Sequence, residues 1–148
     1  MVMNNEYKEN SQAVQAHLGI TQSVIQRMAS NSASCKAWCI ALVSAILVLV
    51  ADKGRPDYTL IALIPTLLFL VLDAYYLGLE KAFRDSYNEF IEKLHSKSIK
   101  SSDLYAVSPK GSLFYAFFKS LCSFSIWPFY LTLIVMIWIV KTIVISTT

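Results

Sequence analysis

Charge is scarce in this 148-residue sequence: Asp, Glu, Lys and Arg together make up 16%, against about 25% in an ordinary soluble domain. No stretch packs Lys or Arg densely or interleaves them with aromatics, so the net charge of +3 gives no grip on nucleic acid. The four glycines are scattered, which excludes a glycine-rich phosphate loop. The two histidines, His17 and His95, lie far apart among ordinary helical residues. Both read as surface or interface histidines, and acid–base chemistry has no support. Three cysteines, Cys35, Cys39 and Cys122, are an odd number and make no disulfide framework. Cys35 and Cys39 share a helix face, but no ligand nearby completes a metal set, so they read as small packing residues. No catalytic residue, metal site or cofactor is expected, and the chain reads as a non-enzyme. The first 15 residues carry Glu6, Lys8 and Glu9 and no apolar run. No cleaved leader is therefore expected, and the first apolar block should persist as an anchor.

Apolar residues, by contrast, make up 55% of the chain, with a mean hydropathy of +0.50. They gather in three blocks. Residues 1–9 read as disordered. A helix over 10–33 is expected, capped by Asn10 or Ser11, with Val14, Leu18, Ile25 and Met28 on one face and Thr21 blunting it. The other face is Gln12, Gln15, Gln22, Ser23 and Gln26, and Gly19 is a place to bend. Such an amphipathic helix can lie on a bilayer or pack on a partner, and its poverty in Lys and Arg favours protein contact. Ala37 to Ala51 is uncharged but spans only ~22 Å as a helix, so the first membrane crossing is read as 34–51 with Lys36 snorkelling. Small residues in it (Ala37, Ala41, Ser44 and Ala45) permit close helix approach. A tight turn at Gly54 and Pro56 follows. The second crossing is 58–79, bent at Pro65, and it continues at helical period into a cytoplasmic extension over 80–98.

Residues 99–120 read as a loop ending in an interfacial aromatic stretch, Leu113 to Phe118. The third crossing, 124–146, has Pro128 in its first turn, where a missing N–H costs little. Lys36, Trp38, Tyr58, Trp127 and Lys141 are the expected membrane-interface anchors. Ten Lys and Arg fall on the side of the N-terminus and the middle segment and three on the other. The positive-inside rule therefore puts the N-terminus in the cytoplasm and the C-terminus outside. The rival arrangement makes the last block re-entrant or interfacial, returning the C-terminus to the inside.

The run from Leu72 to Asn88 is the most informative. At helical spacing Asp73, Tyr76, Glu80, Arg84, Tyr87 and Ile91 share one face, and Glu80 with Arg84 forms a favourable i,i+4 pair. Asp73 sits about a turn inside the membrane boundary, where an ionised carboxylate is expensive and needs a partner. Arg27, Lys36 and the hydroxyls of Tyr75 or Tyr76 are the candidates. Arg27, Asp73, Tyr76, Glu80, Arg84 and Tyr87 are accordingly read as setting register between subunits.

Val24-Ile25-Gln26-Arg27-Met28-Ala29-Ser30-Asn31-Ser32, then Lys36-Ala37-Trp38, then the Leu72–Asn88 run, resemble the RipA family of octameric membrane proteins. That family is similar to the membrane accessory protein of type VI-B CRISPR systems. The resemblance covers about Val14 to Leu94, with a looser match in the last hydrophobic block. It implies a homo-octameric ring with a central opening in the bacterial inner membrane, and a role in antiphage defence. The Arg-x(4–6)-His ribonuclease-like motif discussed for the CRISPR-linked relatives is missing: no His follows Arg84 until His95, and none follows Arg27 closely. The expectation is thus an all-α integral membrane protein with an N-terminal amphipathic helix and three transmembrane helices, assembled as a homo-oligomeric ring. Its opening would be gated or plugged, because the second and third blocks carry no run of polar residues to line a wide channel. The alternative is a non-conducting scaffold that docks a cytoplasmic protein partner through residues 80–120. Membrane lipid is a partner in either case.

Overall fold

The computed structural model describes residue 9 and residues 11–147. Its elements, all helical, are α1 (Gln12–Lys53), a 3-10 helix (Pro56–Ala62), α2 (Leu63–His95), a short 3-10 turn (Ser101–Asp103), α3 (Leu113–Leu121) and α4 (Trp127–Thr147). The expected disorder of residues 1–9 falls, Glu9 apart, outside the described residues, as does Asn10.

The amphipathic segment and the first crossing are one helix of 42 residues, not two elements meeting at residue 33. The physical reason is a buried stripe that never breaks step. Val14, His17, Thr21, Ile25, Ser32, Cys35, Cys39, Val43, Leu47 and Val50 are all buried, three or four residues apart except where half-buried Met28 fills the longer gap. No proline interrupts it, and the helix runs through Gly19. Ser11 opens it, its Oγ accepting the Val14 N–H at 3.4 Å. Gly54 closes it in the left-handed conformation (φ 60°), with the N–H groups of Gly54 and Arg55 donating to the carbonyls of Ala51 and Val50.

The second crossing is not one regular α-helix: Pro56–Ala62 winds as a 3-10 helix and α2 begins at Leu63. Pro65 is then the third residue of α2, where a helix has no intrahelical N–H bond to lose. The interfacial stretch at 113–118 is also more than a loop: it forms α3, capped by the Ser112 Oγ accepting the Tyr115 N–H at 3.4 Å. What admits α3 is Gly78 on α2. A Cβ there would stand 3.1 Å from both the C and the O of Ala116 and 3.2 Å from the Phe117 N.

α1 and α2 pack antiparallel along their whole length. Val14 meets Phe90 and Leu94 at one end, and Cys39 and Val43 share a core with Ala62 and Ala74 further along. α4 lies against both, contributing Ile126, Tyr130, Leu133 and Ile137 to that core, and its contacts extend to the 3-10 helix beside the α1–α2 turn. It is continuous over 21 residues, about 31 Å, and does not turn back on itself as a re-entrant segment would.

Three helical segments, Gln12–Lys53, Pro56–His95 and Trp127–Ser146, are long and apolar enough to cross a membrane. Only 28%, 28% and 22% of their most apolar stretches is buried inside the protein. The rest faces outward, including Val48, Ile64, Leu68 and Ile143. An apolar surface this continuous calls for lipid, not water, as its solvent. Trp38, Tyr58 and Trp127 are exposed, with Arg55 over the Tyr58 ring at 5.9 Å, and Lys141 is half-buried.

Gly78→Ala should destabilise the fold by about 1–3 kcal/mol through overpacking against the α3 backbone. Urea titration in mixed micelles, followed by circular dichroism, measures it, and an unchanged midpoint would contradict the close approach.

A buried charge cluster as the candidate functional site

Asp73 is fully buried on α2. Opposite it, α1 presents Ser32 and Lys36, one helical turn apart on the same face. The Ser32 hydroxyl donates a short hydrogen bond to Asp73 Oδ1. Asp73 Oδ2 receives no well-directed hydrogen bond and is compensated by the Lys36 ammonium at 2.5 Å, which also lies 3.4 Å from Ser32 Oγ. α4 closes the third side with the buried Tyr130, whose hydroxyl donates to the Phe69 carbonyl at 2.9 Å, one turn from Asp73. A carboxylate, an ammonium and two hydroxyls thus tie three helices together at one level.

The expected partner candidates are resolved by this geometry. Lys36 is the cation, so it turns inward to Asp73 instead of snorkelling out to headgroups. Arg27 is exposed on α1. Tyr75 and Tyr76 stack edge to face at 5.6 Å, with Tyr75 exposed. Asp73 leaves no side-chain surface for a neighbouring copy, so its register function operates between α1 and α2 of its own chain. Further along the same face, Glu80 and Arg84 pair at 2.7 Å, Arg84 is exposed, and Tyr76 and Tyr87 are half-buried. The face divides because the buried stripe of α2 moves round the helix, from Thr66, Asp73 and Leu77 to Phe90 and Leu94. Ser32 and Tyr130 were not singled out from the sequence. Ser32 could have been found by extending the Ile25–Met28 stripe one turn, and Tyr130 as the one tyrosine of the last block.

Cys35 and Cys39 are buried free thiols on the same stripe, and Cys122 is exposed. Among the described residues no group of His, Cys, Asp and Glu is arranged to hold a metal ion.

A second polar assembly lies at the other end of the α1–α2 pair. His95 is exposed, but His17, read as a surface or interface histidine, is buried inside the chain's own fold. Its ring stacks on Phe90 at 4.2 Å, and its Nδ1 accepts the Tyr105 N–H at 3.0 Å. The segment between α2 and α3 is thereby strapped down over a cavity of about 270 Å³. Lys93 pairs with Asp103 (3.2 Å) and Glu89 (3.4 Å), Lys110 pairs with Glu89 (2.9 Å), and Ser86 donates to the Ser108 carbonyl (2.8 Å). Lys110 and Lys93 hold the Glu89 carboxyl below its usual range, and the Lys100 N–H donating to Asp103 Oδ2 (2.9 Å), with Lys93 second, does the same for Asp103; the carboxylates in turn raise the two lysines. Burial lowers the His17 pKa, against a smaller opposing pull from Asp103.

Removing one partner of a buried pair strands the other charge. Lys36→Met should therefore cost about 3–5 kcal/mol, and Lys36→Met combined with Asp73→Leu should recover most of it. Unfolding midpoints of the two variants check this; equal losses would contradict the pairing. A lowered His17 pKa means the unfolded chain binds the extra proton more readily, so stability falls with falling pH. The His17 contribution is complete above the ordinary value of 6.5 and is lost as pH drops through the lower folded value. Amide exchange at Tyr105 should rise on acidification in the native chain and stay flat in His17→Gln. Parallel pH profiles would contradict the latch.

Comparison with known proteins adds no relative: no family model matches the chain, and no curated protein and no solved structure matches it.

Proposed function

We propose that this chain is the subunit of a ring-forming, octameric protein of the bacterial inner membrane, with its N-terminus in the cytoplasm. The opening of the ring is gated or plugged, and it governs membrane permeability in antiphage defence. The observation that carries this reading is the face of α1 opposite its buried stripe. Gln12, Gln15, Gly19, Gln22, Gln26, Ser30, Ala33, Ala37, Ala41 and Ser44 run along it, all exposed. Large apolar residues are absent from the face through Ala37; in the apolar zone Ile40 and Val48 join it, exposed beside Ala41 and Ser44. Lipid tails are matched well by Leu and Ile; a strip of small residues instead lets another helix approach closely, and uncharged amides can hydrogen-bond across the contact. Arg27, Tyr76, Glu80, Arg84 and Tyr87 flank the same contact in this reading.

The protomer's own interior supports an assembly as well. Cys39, Val43, Leu47, Leu133 and Ile137 pack into one apolar core, so any passage has to be made between copies. One heterologous contact repeated around an axis closes into a ring, which suits a chain of three crossings. The octameric number and the defence role rest on the resemblance of the Val24–Ser32, Lys36–Trp38 and Leu72–Asn88 segments to the RipA family. The orientation rests on the distribution of Lys and Arg.

Single cysteines at Ser30, Ala37 and Ala41, in a chain with Cys122→Ser, should crosslink between copies and give a ladder of multimers. Cysteines at Val43 or Leu47 on the buried stripe should not. Dye release from vesicles should accompany assembly and should fall in Ala37→Leu with Ala41→Leu, which crowds the contact. Multimers that form while no dye is released under any condition would favour the non-conducting scaffold. Absence of crosslinks at all three positions would contradict the ring.

A further inference from the structure

A groove of about 480 Å³ runs between α2 and α3 just where α2 leaves the apolar zone. Its α2 wall carries Lys81, Asp85 and Asn88, and its α3 wall carries Ser112, Tyr115 and Lys119. Beside the groove the exposed face of α3 is aromatic. Phe114 is 75% exposed and Phe118 about half, next to Tyr115 of the groove wall at 68%. Among the described residues these rings stay exposed, and exposed aromatic side chains suit the headgroup level of a membrane.

The order of charge along the groove is the informative feature. Lys119 sits near the end of α3 that approaches the apolar core, and the Lys81 Nζ lies 3.4 Å from the Ser123 Oγ at that same end. Asp85 is one turn beyond Lys81 along α2, about 6 Å further from the membrane. Among the described residues Asp85, Lys119 and Glu92 (two turns beyond Asp85 at the outer end of the groove) make no ion pair, whereas Glu89 and Lys110 neutralise each other at 2.9 Å. Positive charge toward the membrane and negative charge one turn outward is the mirror of a zwitterionic phospholipid. There the phosphate lies next to the glycerol and the amine lies beyond it in water.

We infer that this groove seats the headgroup of an amine-bearing zwitterionic phospholipid, with Lys81 and Lys119 at the phosphate and Asp85 at the ammonium. The acyl chains of that lipid run inward from Lys119, past Phe118. A primary ammonium can donate to Asp85 and to the Asn88 side-chain carbonyl, whereas a quaternary choline has no N–H to give. The site therefore prefers phosphatidylethanolamine to phosphatidylcholine. An anionic headgroup such as phosphatidylglycerol engages the lysines only. The inference stands apart from the ring reading, since every residue of the groove comes from one copy.

The test is native mass spectrometry of the full chain in detergent, titrated with dioleoyl phosphatidylethanolamine, phosphatidylcholine and phosphatidylglycerol in turn. The native chain should retain phosphatidylethanolamine about fivefold better than phosphatidylcholine, the range one exposed ion pair supplies. Asp85→Asn should abolish that preference while leaving phosphatidylglycerol retention intact or raised. Lys119→Gln should weaken all three lipids together. Asp85 and Lys119 are exposed, so both variants should keep the native circular dichroism, which is recorded alongside. Equal retention of the ethanolamine and choline lipids by the native chain would overturn the proposal, as would a preference that survives Asp85→Asn. Exclusion of all three lipids would assign the face to another copy of the chain and overturn it too.

Discussion

A carboxylate with no exposed surface, set among apolar helices, has to be compensated at the point where it lies. In this chain that requirement falls on Asp73, and Lys36 and Ser32 meet it from α1. Because the pairing leaves no room for slippage, it fixes how far α1 and α2 slide past each other. Val14 then lands on Phe90 and Leu94, and Cys39 on the Ala62–Ala74 side of α2. Tyr130 extends the arrangement to α4 through the Phe69 carbonyl. A pair of apolar residues could fill the same space as well or better. What an ion pair adds is a single allowed register over helices long enough to have several.

The length of α1 gives it two functions in one element. Its buried stripe holds α2 from one end to the other, and its opposite face is uncharged, with amides in its first half and mostly small residues in its second. α2, α3 and α4 turn bulky side chains outward, suited to acyl chains and headgroups. Among the described residues α1 also carries a less bulky exposed strip, Ala33, Ala37, Ala41 and Ser44, and that contrast is the reason to propose another copy there.

Much of this was legible in the residues. The three apolar blocks announce three crossings, and Val14, Leu18, Ile25 and Met28 announce the buried side of α1. Asp73 stands out because it breaks an apolar run. Its partner could not be chosen from sequence, since Arg27 and Lys36 are both basic and the choice depends on the register between two helices. His17 was hidden for a related reason: it lies one turn from Thr21 on the buried stripe, but its acceptor role depends on Tyr105, 88 positions away. α3 escaped because a short aromatic run owes its place to the bare backbone of Gly78, a contact made across 38 residues. The break before α2 reflects the 3-10 winding of Pro56–Ala62, which hydrophobic spacing does not report.

The central claim is that the small-residue face of α1 is covered by a second copy, repeated until a ring closes. The molar mass of the purified chain in mild detergent, with the bound detergent subtracted, tests this most directly. The account predicts a closed assembly of eight chains of 16.7 kDa. A particle of one chain's mass, with its circular dichroism intact, would contradict it.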